Sequence, residues 1–378
     1  MTSKHSSKEK QFLLGAIALG MVPGVGAHIF RSLIAHFGSA QAVWDVPPGE
    51  LQKVKGVGAK LSAHLKNPTL FFDAAQQQID RCSQLGIRLL SLQDPAYPFR
   101  LKQIADAPPV IYVYGEADLN PHRSIAVVGT RRATAYGLDF LTDFIDYLKP
   151  YQPTIVSGLA YGIDIHAHKR ALATALPTIG IMASGMNIIY PQKHRNTAVE
   201  MVKCGGALIT ESPLDTSPDA MLFPARNRII AGLCDAVVVM EAMASGGALI
   251  TAELANDYNR EVLALGGPYH SKYSEGCNNL VKQQRAHLMT TPEDLVSLLN
   301  WQLPTDEQDA VSKKFEEFLS NEEMAVVTFL QKYGQPIHRD ELLAGMEMED
   351  NQLLSTLLSL ELQSIVQNLP GNQVVLRR

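Results

Sequence analysis

The residues best suited to chemistry in this 378-residue chain fall in short turns that follow apolar runs and open helical stretches. One turn reads Gly129-Thr130-Arg131-Arg132, a second Ser157-Gly158-Leu159-Ala160-Tyr161-Gly162, a third Ser184-Gly185-Met186 and a fourth Ser245-Gly246-Gly247-Ala248. Basic groups also stand in Tyr190-Pro191-Gln192-Lys193-His194-Arg195 and in Phe223-Pro224-Ala225-Arg226-Asn227-Arg228. Glycine lets the backbone approach a ligand, a hydroxyl donates a hydrogen bond, and the N–H groups opening a helix favour an anion. Arginine and lysine add charge-assisted bonds to the same oxygens. One such turn is weak, because every doubly wound fold needs tight βα loops. Several, with cations beside them, point to a phosphate-rich ligand, and several phosphate positions suit a polynucleotide better than one nucleotide.

Other chemistries lack their residues. No GxxxxGK[ST] sequence offers a cradle for a nucleoside triphosphate. No Ser-His-Asp or Cys-His nucleophile is suggested; His166 and His168 lie beside Asp164 and read as groups that cap or pack a helix. Cys82, Cys204, Cys234 and Cys277 are at least 30 residues apart, so no disulfide framework or zinc site is expected, and all four read as small buried hydrophobes. No cofactor is expected.

The elements that must position these turns show in the hydrophobic pattern. Runs at 124–129, 154–158, 178–184, 207–212, 236–242 and 261–267 alternate with helical stretches of 10–15 residues. Such alternation builds a parallel, doubly wound sheet, a Rossmann-like α/β fold, and runs at 88–92 and 110–115 extend it. Ligands of open α/β sheets bind beyond the carboxyl ends of the strands, where the turns above fall.

Residues 12–66 read as helical, punctuated twice by similar turns, VPGVGAH at 22–28 and VKGVGAK at 54–60. This is a helix-hairpin-helix pattern, which either faces a phosphate or only packs against its neighbours. The basic start followed by FLLGAIALGMV outlines a signal peptide, but no cleavage site follows, and Leu13, Leu14, Ile17, Ala18 and Met21 keep helical spacing. An amphipathic helix, no membrane span and a cytoplasmic protein are expected. The domain pattern reads as a helical module at 1–85, the α/β domain at 86–300, a polar linker at 301–314, and at 315–378 three helices and two strands split by Pro370-Gly371-Asn372. That last order fits a winged helix.

The net charge of −5 conceals an asymmetry: residues 1–100 carry +5, residues 123–228 carry +3, and residues 229–378 carry −11. A basic front half hints at a polyanion partner, although solvated faces that differ by chance give the same sums. The winged-helix segment, at −7 over 301–378, would repel a duplex and is expected to contact a protein instead.

Five ordered motifs carry a resemblance: VVGTRRATAYG, SGLAYGIDIHAHKRAL, SGMNIIYPQKHR, FPARNRIIAGL and SGGALITAELA. Together they resemble the DprA/Smf family of DNA-processing proteins over about residues 12–300, and through the tail over nearly the whole chain. The resemblance implies a sterile-alpha-motif-like or helix-hairpin-helix N-terminal domain, an extended Rossmann domain and often a winged-helix tail. It further implies single-stranded DNA binding, a homodimer, and loading of RecA onto incoming DNA during natural transformation. The turns read above and this resemblance together give as expected DNA-binding positions Gly129, Thr130, Arg131, Arg132, Ser157, Gly158, Ser184, Gly185, Lys193, Arg195, Arg226, Asn227, Arg228, Ser245 and Gly246. The family lysine near Tyr-Pro falls here on Lys193, with Arg195 in support; His194 and Gly266-Gly267-Pro268 depart from the family pattern.

Two enzymes compete. Ser245 to Glu253 distantly resembles the PGGxGTxxE motif of phosphoribohydrolases, which would make Glu253 a catalytic carboxylate in a nucleotide-cleaving Rossmann enzyme, but Ser245 and Ile250 break the pattern. A NAD-dependent dehydrogenase lacks its glycine fingerprint and the acidic residue after the second strand.

Overall fold

Isoleucine, valine and alanine crowd into short runs that pleat with both faces covered, so they are apolar throughout instead of alternating. In the computed structural model, which describes residues 7–66, 68–303, 319–333, 336–346, 348–363, 365–369 and 372–376, these runs are strands. They are β1 (Arg88–Ser91), β2 (Val110–Gly115), β3 (Ser124–Val128), β4 (Thr154–Ser157), β5 (Thr178–Ile181), β6 (Ala207–Thr210), β7 (Ala236–Val239) and β8 (Glu261–Leu265). A ninth, β9 (His287–Met289), completes one sheet in the order β1-β2-β6-β5-β4-β3-β7-β8-β9. From β6 to β9 all neighbours are parallel. β1 and β2 extend the sheet antiparallel, β2 against β6, because no long helical crossover joins them to it.

Helices α8 (Ala135–Leu148), α9 (Ile163–Ala173), α10 (Arg195–Lys203), α11 (Leu222–Gly232), α12 (Gly247–Asp257), α13 (Glu275–Lys282) and α14 (Glu293–Leu298) connect or follow the strands. Strand alternation divides their packing. Ile125 and Val127 of β3 face Leu141, Phe144 and Ala167, whereas Ala126 and Val128 join the layer of Ile229, Ile230 and Ala252. The chain winds from β3 out to β6, then returns through α11 to β7 on the other side of β3, and Val128 pairs with Val239. The direction of winding therefore reverses between β3 and β7. This is where open α/β sheets hold ligands.

Ahead of the sheet lie α1 (Ser7–Gly20), α2 (Ala27–Phe37), α3 (Ala40–Asp45), α4 (Pro48–Leu51), α5 (Ala59–His64) and α6 (Pro68–Gln84), with α7 (Phe99–Lys102) between β1 and β2. The two glycine hairpins adopt one conformation, with Gly24 at φ +97° and Gly56 at φ +91°. Leu13, Ile17, Phe30 and Leu33 share an apolar cluster with Tyr112, Met182 and Leu208 of the sheet. Residues up to Gln302 accordingly form one compact unit, and those from Leu303 form a second.

The second unit comprises α15 (Asn321–Tyr333), β10 (Ile337–His338), α16 (Arg339–Ala344), α17 (Asp350–Leu362), β11 (Val366–Leu369) and β12 (Gln373–Leu376). Its antiparallel sheet runs β10-β12-β11 over a core of Val326, Leu330, Leu353, Leu357 and Val374. The short β10 adds to the two strands expected there. Most of the expected linker, 304–314, and Pro370-Gly371 lie outside the described residues. Among the described residues no helix is long and apolar enough to cross a membrane. Cys82, Cys234 and Cys277 are buried as expected, but Cys204 is exposed, because it caps the C-terminus of surface helix α10.

Candidate nucleic-acid interface

At the switch point the protein supplies its own anion. Glu241, two residues beyond β7, is 2% exposed. Its carboxylate accepts from the Thr134 N–H at 2.8 Å and from the Thr134 hydroxyl at 2.6 Å, at the start of α8. Gly137 leaves room for it, since a Cβ there would lie 2.6 Å from the carboxylate. The helix N-terminus that would attract a nucleotide phosphate is thus already filled. Nothing in the sequence marked this residue, because a carboxylate just past a strand normally reads as a solvated charge.

Exposed cations stand beside that point. Arg131 and Arg132 follow β3, and Lys193 and Arg195 flank the start of α10; all four are exposed. Among the described residues, none of the four forms an ion pair, whereas Arg81, Arg100, Arg170, Arg228 and Arg285 all do. Aromatic rings are interleaved with them. The Arg131 guanidinium lies 5.3 Å from the centroid of Phe223, which is 5.7 Å from Tyr190. Tyr161 meets His194 edge-on at 4.8 Å, and His194 is held between Lys193 and Arg195 by a 2.6 Å bond from Nδ1 to the Leu159 carbonyl. Tyr161, Tyr190, Lys193 and Arg195 continue into an open groove of about 1030 Å³, walled by Tyr114, Met186, Ile188, Ile189 and Val199. These rings carried no weight in the sequence argument, although Phe223, Tyr161 and Tyr190 stand inside the motifs.

Other positions named from the sequence are placed differently. The Ser157 hydroxyl donates to the Val127 carbonyl at 2.6 Å and the Ser184 hydroxyl to the Ile188 carbonyl at 2.6 Å. Gly185 packs against the 213–216 loop, and its N–H donates to the Thr216 carbonyl. Arg226, Asn227 and Arg228 fall within α11, and each is less than a tenth exposed. Arg226 donates to the carbonyls of Gly158 and Ile181, Asn227 to that of Gly247, and Arg228 to Asp106 and Glu211. These side chains are committed to partners within the protein, and a direct bond to phosphate would cost them partners they already hold.

Gly129 and Thr130 pass between β3 and β7, where the Thr130 N–H donates to the Glu241 carbonyl at 2.7 Å. Ser245 and Gly246 are exposed at the start of α12, at the same edge of the sheet. Glu253, two turns along that helix, is exposed and paired with Arg285 at 3.0 Å. His166 and His168 sit inside α9; His168 is fully buried against Thr178. Among the described residues no cluster of His, Cys, Asp and Glu could hold a metal ion.

The family model described as DNA recombination-mediator protein A matches residues 88–300. The Smf protein of Escherichia coli is 36% identical over 305 residues, 77% of this chain and 78% of that protein. The Smf protein of Synechocystis is 35% identical over 292 residues, 75% of this chain and 71% of the other. The crystal structure of DNA processing protein A from Streptococcus pneumoniae superposes with a TM-score of 0.61 at 29% identity, over 78% of this chain and 98% of that one. The Helicobacter pylori protein of the same name, solved for its single-stranded DNA binding mode, gives 0.51 at 26% identity, over 56% of this chain and 95% of that one. With five motifs placed on one edge of a sheet that these structures share, the chain belongs to the DprA/Smf family.

Proposed function

We propose that this protein is a single-stranded DNA-binding recombination mediator without catalytic activity. The observation that carries this is the row of exposed, unpaired cations interleaved with aromatic rings at the carboxyl edge of the sheet. Cations track a backbone, and rings stack unpaired bases without regard to sequence, which a duplex with its bases paired does not permit. The groove beside Tyr161 and Tyr190 gives splayed bases an apolar wall. Arg131, Arg132, Lys193 and Arg195 are the backbone contacts; Gly129, Thr130, Ser245 and Gly246 offer close backbone approach; Ser157, Gly158, Ser184, Gly185, Arg226, Asn227 and Arg228 shape the edge.

In the same proposal the first 85 residues are a sterile-alpha-motif or helix-hairpin-helix module and the second unit a winged helix that contacts a protein. A homodimer places two grooves on one strand, which raises effective concentration, and RecA is loaded onto the coated strand in the cytoplasm during natural transformation. Family membership supports these roles. The phosphoribohydrolase alternative is disfavoured by Glu253, which is exposed and ion-paired, and by Glu241, which fills the phosphate position at the switch point. Anisotropy of labelled oligo-dT and a matched duplex across a salt series tests the proposal. Tighter binding to the single strand, with log affinity falling linearly with log salt, is expected. No binding at low salt would overturn it.

A further inference from the structure

We propose that Asp164 and Arg226 are a buried positioning pair that sets the exposed cations for single-stranded DNA, and that Arg226 acts without touching a phosphate. This inference rests on the DNA-binding function proposed above. The two residues hold Gly158 through the two peptide groups that flank its Cα. The Gly158 N–H donates to Asp164 Oδ2 at 3.1 Å, and the Gly158 carbonyl accepts from Arg226 Nη1 at 2.7 Å. Asp164 also accepts from the Ala160 N–H at 3.4 Å, and Arg226 Nη1 also donates to the Ile181 carbonyl at the end of β5. Gly158 is required here, since a Cβ would stand 2.5 Å from Nη1.

From that grip three connections reach the exposed face. The braced 158–162 loop carries Leu159, whose carbonyl holds His194 between Lys193 and Arg195. The same loop carries Tyr161, edge-on to His194. Arg226 lies on α11 three residues after Phe223, whose ring lies beneath Arg131. One buried pair therefore ties the segments bearing Arg131, Lys193 and Arg195 into a single geometry. A guanidinium that is 6% exposed and bound to two carbonyls cannot reach a phosphate without releasing the loop it holds. Burial pushes the Asp164 carboxyl up and the Arg226 guanidinium down to about 10, and each partner's charge opposes the other's shift, as expected for a pair that stabilises itself in the interior.

The test uses the full chain and fluorescein-labelled oligo-dT from 50 to 500 mM NaCl. Arg226→Lys keeps the charge but loses the fork of donors; it is expected to weaken binding about ten-fold or more. In a background carrying Lys193→Ala and Arg195→Ala, the same substitution is expected to cost only about two- to three-fold, because most of what it positions is gone. Additive losses, which an arginine meeting a phosphate on its own account would give, or an unchanged affinity, would overturn the proposal. Should Arg226→Lys not fold, Asp164→Asn carries the same expectations. If the unaltered chain does not bind oligo-dT, the DNA function itself fails. The pair is then judged by amide hydrogen exchange, where unchanged protection of Gly158 and Ala160 in Asp164→Asn would remove it as a brace.

Discussion

At the scale of single residues, surroundings and not residue type decide what an arginine does here. Arg131 is exposed over an aromatic ring, whereas Arg228 is bound to Asp106 and Glu211. Arg131→Ala should therefore remove one counterion-releasing contact and lower the oligo-dT salt slope by roughly 0.7–1. Phe223→Ala should instead weaken binding by about 1–3 kcal/mol at constant slope, since a stacking ring releases no ion. The same salt titration separates them, and equal slopes in both variants would remove Arg131 from the backbone path. His168 gives a pH signature unrelated to DNA. The Thr178 hydroxyl donates to the Ile155 carbonyl, so it accepts from His168 Nδ1, and the ring is neutral with its proton on Nδ1. Burial, with Arg226 and His194 nearby, depresses its pKa to about 3 from an ordinary 6.5. A depressed folded-state pKa gives stability that is present above the unfolded value and lost as pH falls through the folded one. Between pH 6.5 and 3 this one group should cost about 1.4 kcal/mol per pH unit. Urea unfolding at pH 7 and pH 5 should show a larger loss for the unaltered chain than for His168→Gln; equal losses would mean that the buried ring takes up a proton freely.

Elements explain why some of this was legible in the sequence and some was not. Eight strands were readable because β-branched runs between turns signal buried parallel strands, and β3, for example, is buried at all five positions. The strand β9 was not readable. His287 and Leu288 are exposed on an edge strand, and three residues without a β-branched side chain carry no period. The basic turns were readable as a group, but which arginines face outward was not, because α11 turns Arg226 and Arg228 inward through packing with α12 and the sheet. Glu241 was hidden for a related reason: its partner, the start of α8, lies 107 residues earlier in the chain. It caps α8 as a side chain from another element, so Glu241→Ala should destabilise the fold by about 1–3 kcal/mol. The vacated position should then accept a free anion. Phosphate or sulfate should raise the melting temperature of Glu241→Ala more than that of the unaltered chain at equal ionic strength. An equal response in both proteins would mean that the helix terminus attracts no anion there.

For the molecule as a whole, the distribution of charge matters more than its sum. Residues 303–378 carry −7, so the remaining chain is +2 and the whole is −5. The second unit has its own core of Val326, Leu330, Leu353 and Leu357, and the first has its own layers, so each holds together on its own apolar contacts. Removing residues 303–378 should leave the first unit folded and reverse the sign of the field that an approaching polyanion meets. Oligo-dT should then associate several-fold faster at 50 mM salt. Near 1 M, where the screening length is about 3 Å, the two proteins should converge. The equilibrium salt slope should hardly change, because Arg131, Arg132, Lys193 and Arg195 all remain. Stopped-flow anisotropy on the full and shortened chains measures both quantities. A slower rise or a shallower slope in the shortened chain would show that the acidic unit contributes contacts to the strand. Its exposed Leu354, Leu358 and Leu362 on α17 would then need a role other than facing a protein.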